Sequence, residues 1–119
     1  MEEKKYAVLI DGDNISSKYL DSILNEMTKY GIATYKRIYC DFTSQQSSKW
    51  RRLVRDSGIQ AMQQFANTVG KNATDSTLII DAMDILYSGN VDGYCIVSSD
   101  SDFTRLAARL RESGMLVLG

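Results

Sequence analysis

Two stretches of this chain end an apolar run in carboxylates. Val8-Leu9-Ile10 is followed by Asp11-Gly12-Asp13-Asn14, and Tyr94-Cys95-Ile96-Val97 by Ser98-Ser99-Asp100-Ser101-Asp102. Carboxylates brought together raise one another's pKa and oppose folding unless a cation is present. A donor set of hard oxygens, without nitrogen or sulfur, selects Mg2+ or Mn2+, with Ca2+ as an inert substitute. Ions held in this way activate water and grip the attacking and leaving oxygens of a phosphodiester. The chemistry suggested is metal-dependent cleavage of a nucleic-acid backbone.

The chain contains no histidine. That removes Ser-His and Cys-His nucleophilic systems, the usual zinc sites and histidine general bases. Cys40 and Cys95 lie far apart in strand-like runs with no CxxC partner, and read as small buried residues. Ser98 and Ser99 lack a base to make them nucleophiles, but can hydrogen-bond metal-bound water or a substrate phosphate.

At 119 residues, with 44% hydrophobic and 24% charged residues, the chain reads as one soluble domain over residues 1–119. No apolar run is long enough to span a bilayer, and Met1-Glu2-Glu3-Lys4-Lys5 opens no secretory signal, so no membrane partner and a cytoplasmic location are expected. The net charge is −1. Pooling several aspartates around a metal would leave the remaining surface net basic.

Four glycines, Gly31, Gly58, Gly89 and Gly114, are expected to end helices in the left-handed conformation. The chain then reads as strand–helix units of βαβ length. Strands are expected over 6–10, 32–40, 59–65, 94–98 and 115–118. The first helix is capped by Ser16 or Ser17 and reaches Tyr30, with Tyr19, Leu20, Ile23, Leu24 and Met27 as its apolar stripe. The second, capped by Ser47 or Ser48, runs to Ser57 with Trp50, Leu53 and Val54 inward. The third covers about 75–88 and the fourth about 102–113. This predicts a three-layer α/β/α sandwich with a mainly parallel five-stranded sheet.

Ligands of such sheets sit beyond the carboxyl ends of the strands, where strand order reverses. With strand one central, strands two and three on one side and four and five on the other, Asp11 and Asp13 meet Asp100 and Asp102 there. On helix three, at about 100° per residue from Asp75, Leu78, Ile79, Ala82 and Leu86 centre near 0°. Asp75 then faces the crevice, while Asp81 and Asp84, near 240° and 180°, face solvent. Singly each aspartate reads first as a turn or capping residue; the five together point to a site.

These residues resemble the NYN domain, a branch of the PIN-like (FLAP-related) nuclease group, and most closely its LabA-like members. The matching pieces are Val8 to Asn14, Lys71 to Asp75 leading into Leu78-Ile79-Ile80-Asp81-Ala82, Ile96 to Phe103, and Leu110-Arg111 through Gly114. The resemblance implies a PIN-like sheet in order 3-2-1-4-5 and a ribonuclease site using Mg2+ or Mn2+ on RNA, single-stranded in expectation. Asp11, Asp75, Asp100 and Asp102 match the family's acidic metal-site positions, with Asp13 as a supporting metal-site carboxylate. Asn14 matches the accompanying polar residue, placed on the substrate side with Ser98, Ser99 and Lys71. Family members usually continue past the position of Gly119 with another helix and strand. A homodimer and a further domain in a longer chain are the remaining partner expectations.

Two other functions fit parts of the pattern. In a haloacid-dehalogenase-type phosphatase, Asp11 would be the nucleophile, Asp13 the acid/base, and Asp100 with Asp102 the Mg2+ ligands; Asn14 and the lack of a cap fit it poorly. A receiver domain fits less well, for want of a correctly placed lysine. The other alternative is a non-catalytic RNA-binding module of a larger regulatory protein. Lys49, Arg51, Arg52 and Arg55 could grip phosphates with Trp50 stacking on a base, but a solvated helix face with Trp50 in the core is the preferred reading. Lys71 reads equally as a phosphate ligand or as an ordinary surface lysine. The Ser- and Gln-rich segment 41–48 has no assignment.

Overall fold

Strand β1 (Lys5–Asp11) is buried from Tyr6 onward, as its unbroken apolar run requires of a central parallel strand. The computed structural model describes residues 3–43, 47–64 and 77–118, with the side chain of Asp102 left out. Around β1 the sheet is built from β2 (Ile32–Cys40), β3 (Gln60–Gln63), β4 (Gly93–Val97) and β5 (Leu116–Leu118) in the order β3-β2-β1-β4-β5. Every pairing is parallel, so the sheet is wholly rather than mainly parallel.

The helices are α1 (Leu20–Met27), α2 (Ser48–Ser57), α3 (Thr77–Ser88) and α4 (Asp102–Glu112). Residue parity along β1 divides the core. Tyr6, Val8 and Ile10 pack with Leu20, Met27 and Trp50 under α1 and α2. Ala7 and Leu9 pack with Leu78, Ala82, Ile85, Leu106 and Leu110 under α3 and α4. Both cysteines are free and buried, as expected. Among the described residues no helix is long and apolar enough to cross a membrane.

Several local expectations are corrected. The first helix opens as a 3-10 turn, Ser17–Tyr19, although its cap is Ser16 as expected, accepting from the Lys18 N–H at 3.4 Å. It ends at Met27 rather than Tyr30, and Tyr19 is half exposed rather than part of the buried stripe. Thr28 donates its hydroxyl to the Asn25 carbonyl at 2.6 Å, a local bond of the kind that competes with helix propagation. Gly58, Gly89 and Gly114 have positive φ as expected, but Gly31 does not. A Cβ there would sit 2.2 Å from the Lys4 carbonyl oxygen, so Gly31 is needed for close passage beside β1.

Asp81 does not face solvent. Its Oδ2 accepts from Arg37 Nη1 at 3.1 Å and from the Tyr39 hydroxyl at 2.7 Å, tying α3 to β2. The fully buried residues of α3 are Leu78, Ala82 and Ile85. Their directions centre about 50° from the axis that includes Ile79 and Leu86, on the side of Asp81. Asp84 is exposed as expected.

Candidate functional site at the carboxyl edge of the sheet

Asp11 is the last residue of β1 and is 3% exposed. It carries the parity of Ala7 and Leu9, so it stands on the face covered by α3 and α4. Its Oδ2 accepts two short bonds, from Asn14 Nδ2 at 2.6 Å and Ser98 Oγ at 2.7 Å. Ser98 Oγ in turn accepts from the backbone N–H of Asp100 at 3.0 Å, and Ser99 Oγ donates to the Asn14 carbonyl at 3.2 Å. The turns after β1 and β4, distant in sequence, are therefore knitted into one structure around a single carboxylate.

Burial pushes the Asp11 carboxyl above its ordinary range, the bonds from Ser98 and Asn14 pull it back, and the charges of Asp13 and Asp100 push it up again. Both hydrogen bonds fall on Oδ2, and among the described residues Oδ1 receives none. A buried carboxylate with like charges close by and one oxygen uncommitted is suited to receive a cation. The donors are all oxygens, so they fit Mg2+ or Mn2+.

Asp13 leans toward the other side of the edge. Its Oδ1 accepts from the backbone N–H of Asp41 at 3.2 Å. Asp41, which the sequence reading left unassigned, follows β2 as Asp11 ends β1, and its Oδ1 accepts from Gln63 Nε2 at 2.9 Å at the end of β3. Burial, with the charges of Asp13, Asp41 and Asp11 adding to it, pushes the Cys40 thiol up to about 12. The signal that would have found Asp41 is the one used for Asp11: an acidic residue directly after a buried strand.

Asp100 is exposed in the turn before α4, and Asp102 begins that helix. Asp75 and Lys71 lie outside the described residues, as does the side chain of Asp102. Among the described residues, no three of His, Cys, Asp or Glu gather closely enough to hold a metal ion. Of the expected grouping of Asp11, Asp13, Asp75, Asp100 and Asp102, the described part is Asp11 with the charges of Asp13 and Asp100 acting on it, and these three do not close into a metal-holding cluster.

Trp50 is buried, as preferred, and its indole N–H donates to the Gly12 carbonyl at 3.0 Å. Gly12 has no room for a side chain: a Cβ would meet Ile38 Cδ1 at 2.8 Å and Cys40 Cβ at 3.0 Å. Beside this turn a cleft of about 680 Å3 is lined by Asp13, Asn14, Ser16, Ser47 and Lys49 among others.

Comparison with known proteins agrees with this architecture. The family model described as the NYN domain matches residues 5–119. An uncharacterized protein of Methanocaldococcus jannaschii is 25% identical over 122 residues, covering 98% of this chain and 47% of that protein. The chain thus spans about half the length of the curated relative it matches. The crystal structure of a protein of unknown function from Vibrio parahaemolyticus superposes with a TM-score of 0.72 at 20% identity, covering 98% of this chain and 80% of that one. At that identity the likeness concerns the fold.

Proposed function

This chain belongs to the NYN domain family, and on that premise we propose that it is a metal-dependent ribonuclease of the PIN-like group, of its LabA-like branch. The observation that carries the reading is Asp11: buried at the carboxyl end of the central strand, joined by Ser98 to the Asp100 turn, and with Oδ1 uncommitted. Asp11 and Asp100, with Asp75 and Asp102, would hold Mg2+ or Mn2+, and Asp13 would add charge beside them. When bound, the ion supplies an activated water and neutralises charge building on the phosphodiester.

The remaining roles belong to the protein. Asn14 and Ser98 fix the Asp11 carboxylate through Oδ2 and leave Oδ1 without a hydrogen bond among the described residues. Ser99 holds the two turns together through the Asn14 carbonyl. Asp102 opens α4 and Asp75 precedes α3, the two helices that cover the face of Asp11, which favours their joining it. Lys71, two-sided in the sequence reading, would meet substrate phosphate from the same segment as Asp75. The substrate is RNA, single-stranded, and the place of action cytoplasmic.

The test pairs calorimetric Mn2+ titration with cleavage of end-labelled single-stranded RNA. The wild-type chain binds Mn2+ and cleaves, and Asp100→Asn abolishes cleavage while the protein stays folded. Cleavage at the wild-type rate by Asp100→Asn removes the proposal. Unchanged RNA affinity without any cleavage in the wild type leaves a non-catalytic RNA-binding module instead.

A further inference from the structure

Three cations on α2, Lys49, Arg52 and Arg55, are exposed and have no ion-pair or hydrogen-bond partner among the described residues. Arg51 differs, donating to the Phe42 carbonyl at 2.7 Å and to Ser47 Oγ at 2.9 Å. Spacing by three places Lys49, Arg52 and Arg55 along one ridge of the helix, about 4.5 Å apart along its axis. Trp50, Leu53 and Val54 take the inward side.

The ridge starts at the acidic edge. Lys49 lines the cleft that Asp13 and Asn14 also line. Lys49 therefore shares the cleft with Asp13, and Arg52 and Arg55 continue the ridge along the helix away from that edge. Such an arrangement leaves the carboxylates available to a cation and the basic ridge available to a polyanion.

We infer that a single-stranded nucleic acid lies along α2, its phosphates on Lys49, Arg52 and Arg55, with one nucleotide in the cleft beside Asp13 and Asn14. The inference rests on the nuclease reading for the position of the cleaved bond, but not for binding. The cleft has the size of an ordinary small-ligand site and suits a nucleotide better than a duplex. Trp50 offers no stacking surface, because it is 3% exposed and its N–H is committed to Gly12. The grip on this side is electrostatic, hence indifferent to sequence and sensitive to salt.

The test is fluorescence anisotropy of a labelled oligouridylate in Ca2+ buffer without Mn2+, titrated over a range of salt. Each phosphate contact on a single strand contributes about 0.7 to the slope of log K against log salt. The variant Lys49→Gln/Arg52→Gln/Arg55→Gln is expected to flatten that slope by about 2 and to weaken binding at low salt by tenfold or more. Arg105→Gln, on α4 and the opposite face, changes neither. Should the triple variant lose its fold by circular dichroism, Arg52→Gln alone is expected to flatten the slope by about 0.7. A slope unchanged in the α2 variants, an equal loss in Arg105→Gln, or no binding by the wild type overturns the inference. A chain that binds along α2 but never cuts contradicts only the nuclease reading; a chain that cuts while its binding ignores α2 contradicts only this inference.

Discussion

The indole N–H of Trp50 donates to the carbonyl oxygen of Gly12 at 3.0 Å, so the first turn of α2 is bonded to the peptide between Asp11 and Asp13. Gly12 is also held from β2, its N–H donating to the Tyr39 carbonyl at 2.8 Å. The acidic turn is thus clamped from two elements before any ligand arrives. Trp50→Phe keeps a six-membered ring in the core but removes the donor and, with the rest of the indole, some buried volume. Leaving the buried carbonyl unpaired is expected to cost about 1–3 kcal/mol, read as a lower denaturant midpoint with unchanged m-value. A midpoint equal to wild type would show that the bond holds nothing.

Gly12→Ala acts on the same turn from the other side. The added Cβ lands 2.8 Å from Ile38 Cδ1 and 2.9 Å from Ile38 Cγ1. Overpacking of this kind costs about 1–3 kcal/mol. Chemical denaturation checks it, and a stability within experimental scatter of wild type would mean that Ile38 repacks freely.

Asp11 gives the fold a pH dependence of definite sign. Its carboxyl is raised by burial first, opposed by Ser98 and Asn14, and raised further by Asp13 and Asp100. The native chain therefore keeps that proton to higher pH than the unfolded chain. Unfolding releases it in the window above the ordinary carboxylate pKa, so stability in divalent-free buffer falls as pH rises through that window. Asp11→Asn keeps an oxygen for both Oδ2 bonds and removes the charge. It is expected to flatten this limb and to be at least as stable as wild type at neutral pH in EDTA. An equally steep limb in the variant would refute the assignment to Asp11.

How much of this was legible in the sequence varies from residue to residue. Asp11 and Asp100 were readable because each follows an apolar run that can only be a covered strand, and strand ends place their residues without further information. The repeating units permit the observed strand order without demanding it, and it was the resemblance to the NYN domain that implied it. Asp81 was misread because helix three is apolar on more than one side. With Ile79, Ile80 and Leu86 competing for the core, the wheel had no unique centre, and the Arg37 partner that decides it comes from another element. Gly31 was misread because a close approach to Lys4 and a left-handed turn both select glycine.

The Asp81 bonds carry their own consequence. Arg37 and Asp81 are partly buried, their side chains 21% and 14% exposed. Asp81→Ala leaves Arg37 Nη1 and the Tyr39 hydroxyl without their acceptor, while Arg37 Nε keeps Gln60 Oε1, at an expected cost of about 1–3 kcal/mol. The check is urea unfolding. Stability equal to wild type would mean that water replaces the carboxylate without loss.

The central claim is that the carboxylates at this edge make a divalent-ion nuclease site, and single-turnover cleavage of end-labelled single-stranded RNA tests it most directly. With Mn2+ present the wild-type chain is expected to cleave, and Asp11→Asn, folded, to cleave at least a thousandfold more slowly. Cleavage by Asp11→Asn at the wild-type rate, or by the wild type equally well in EDTA, would contradict it.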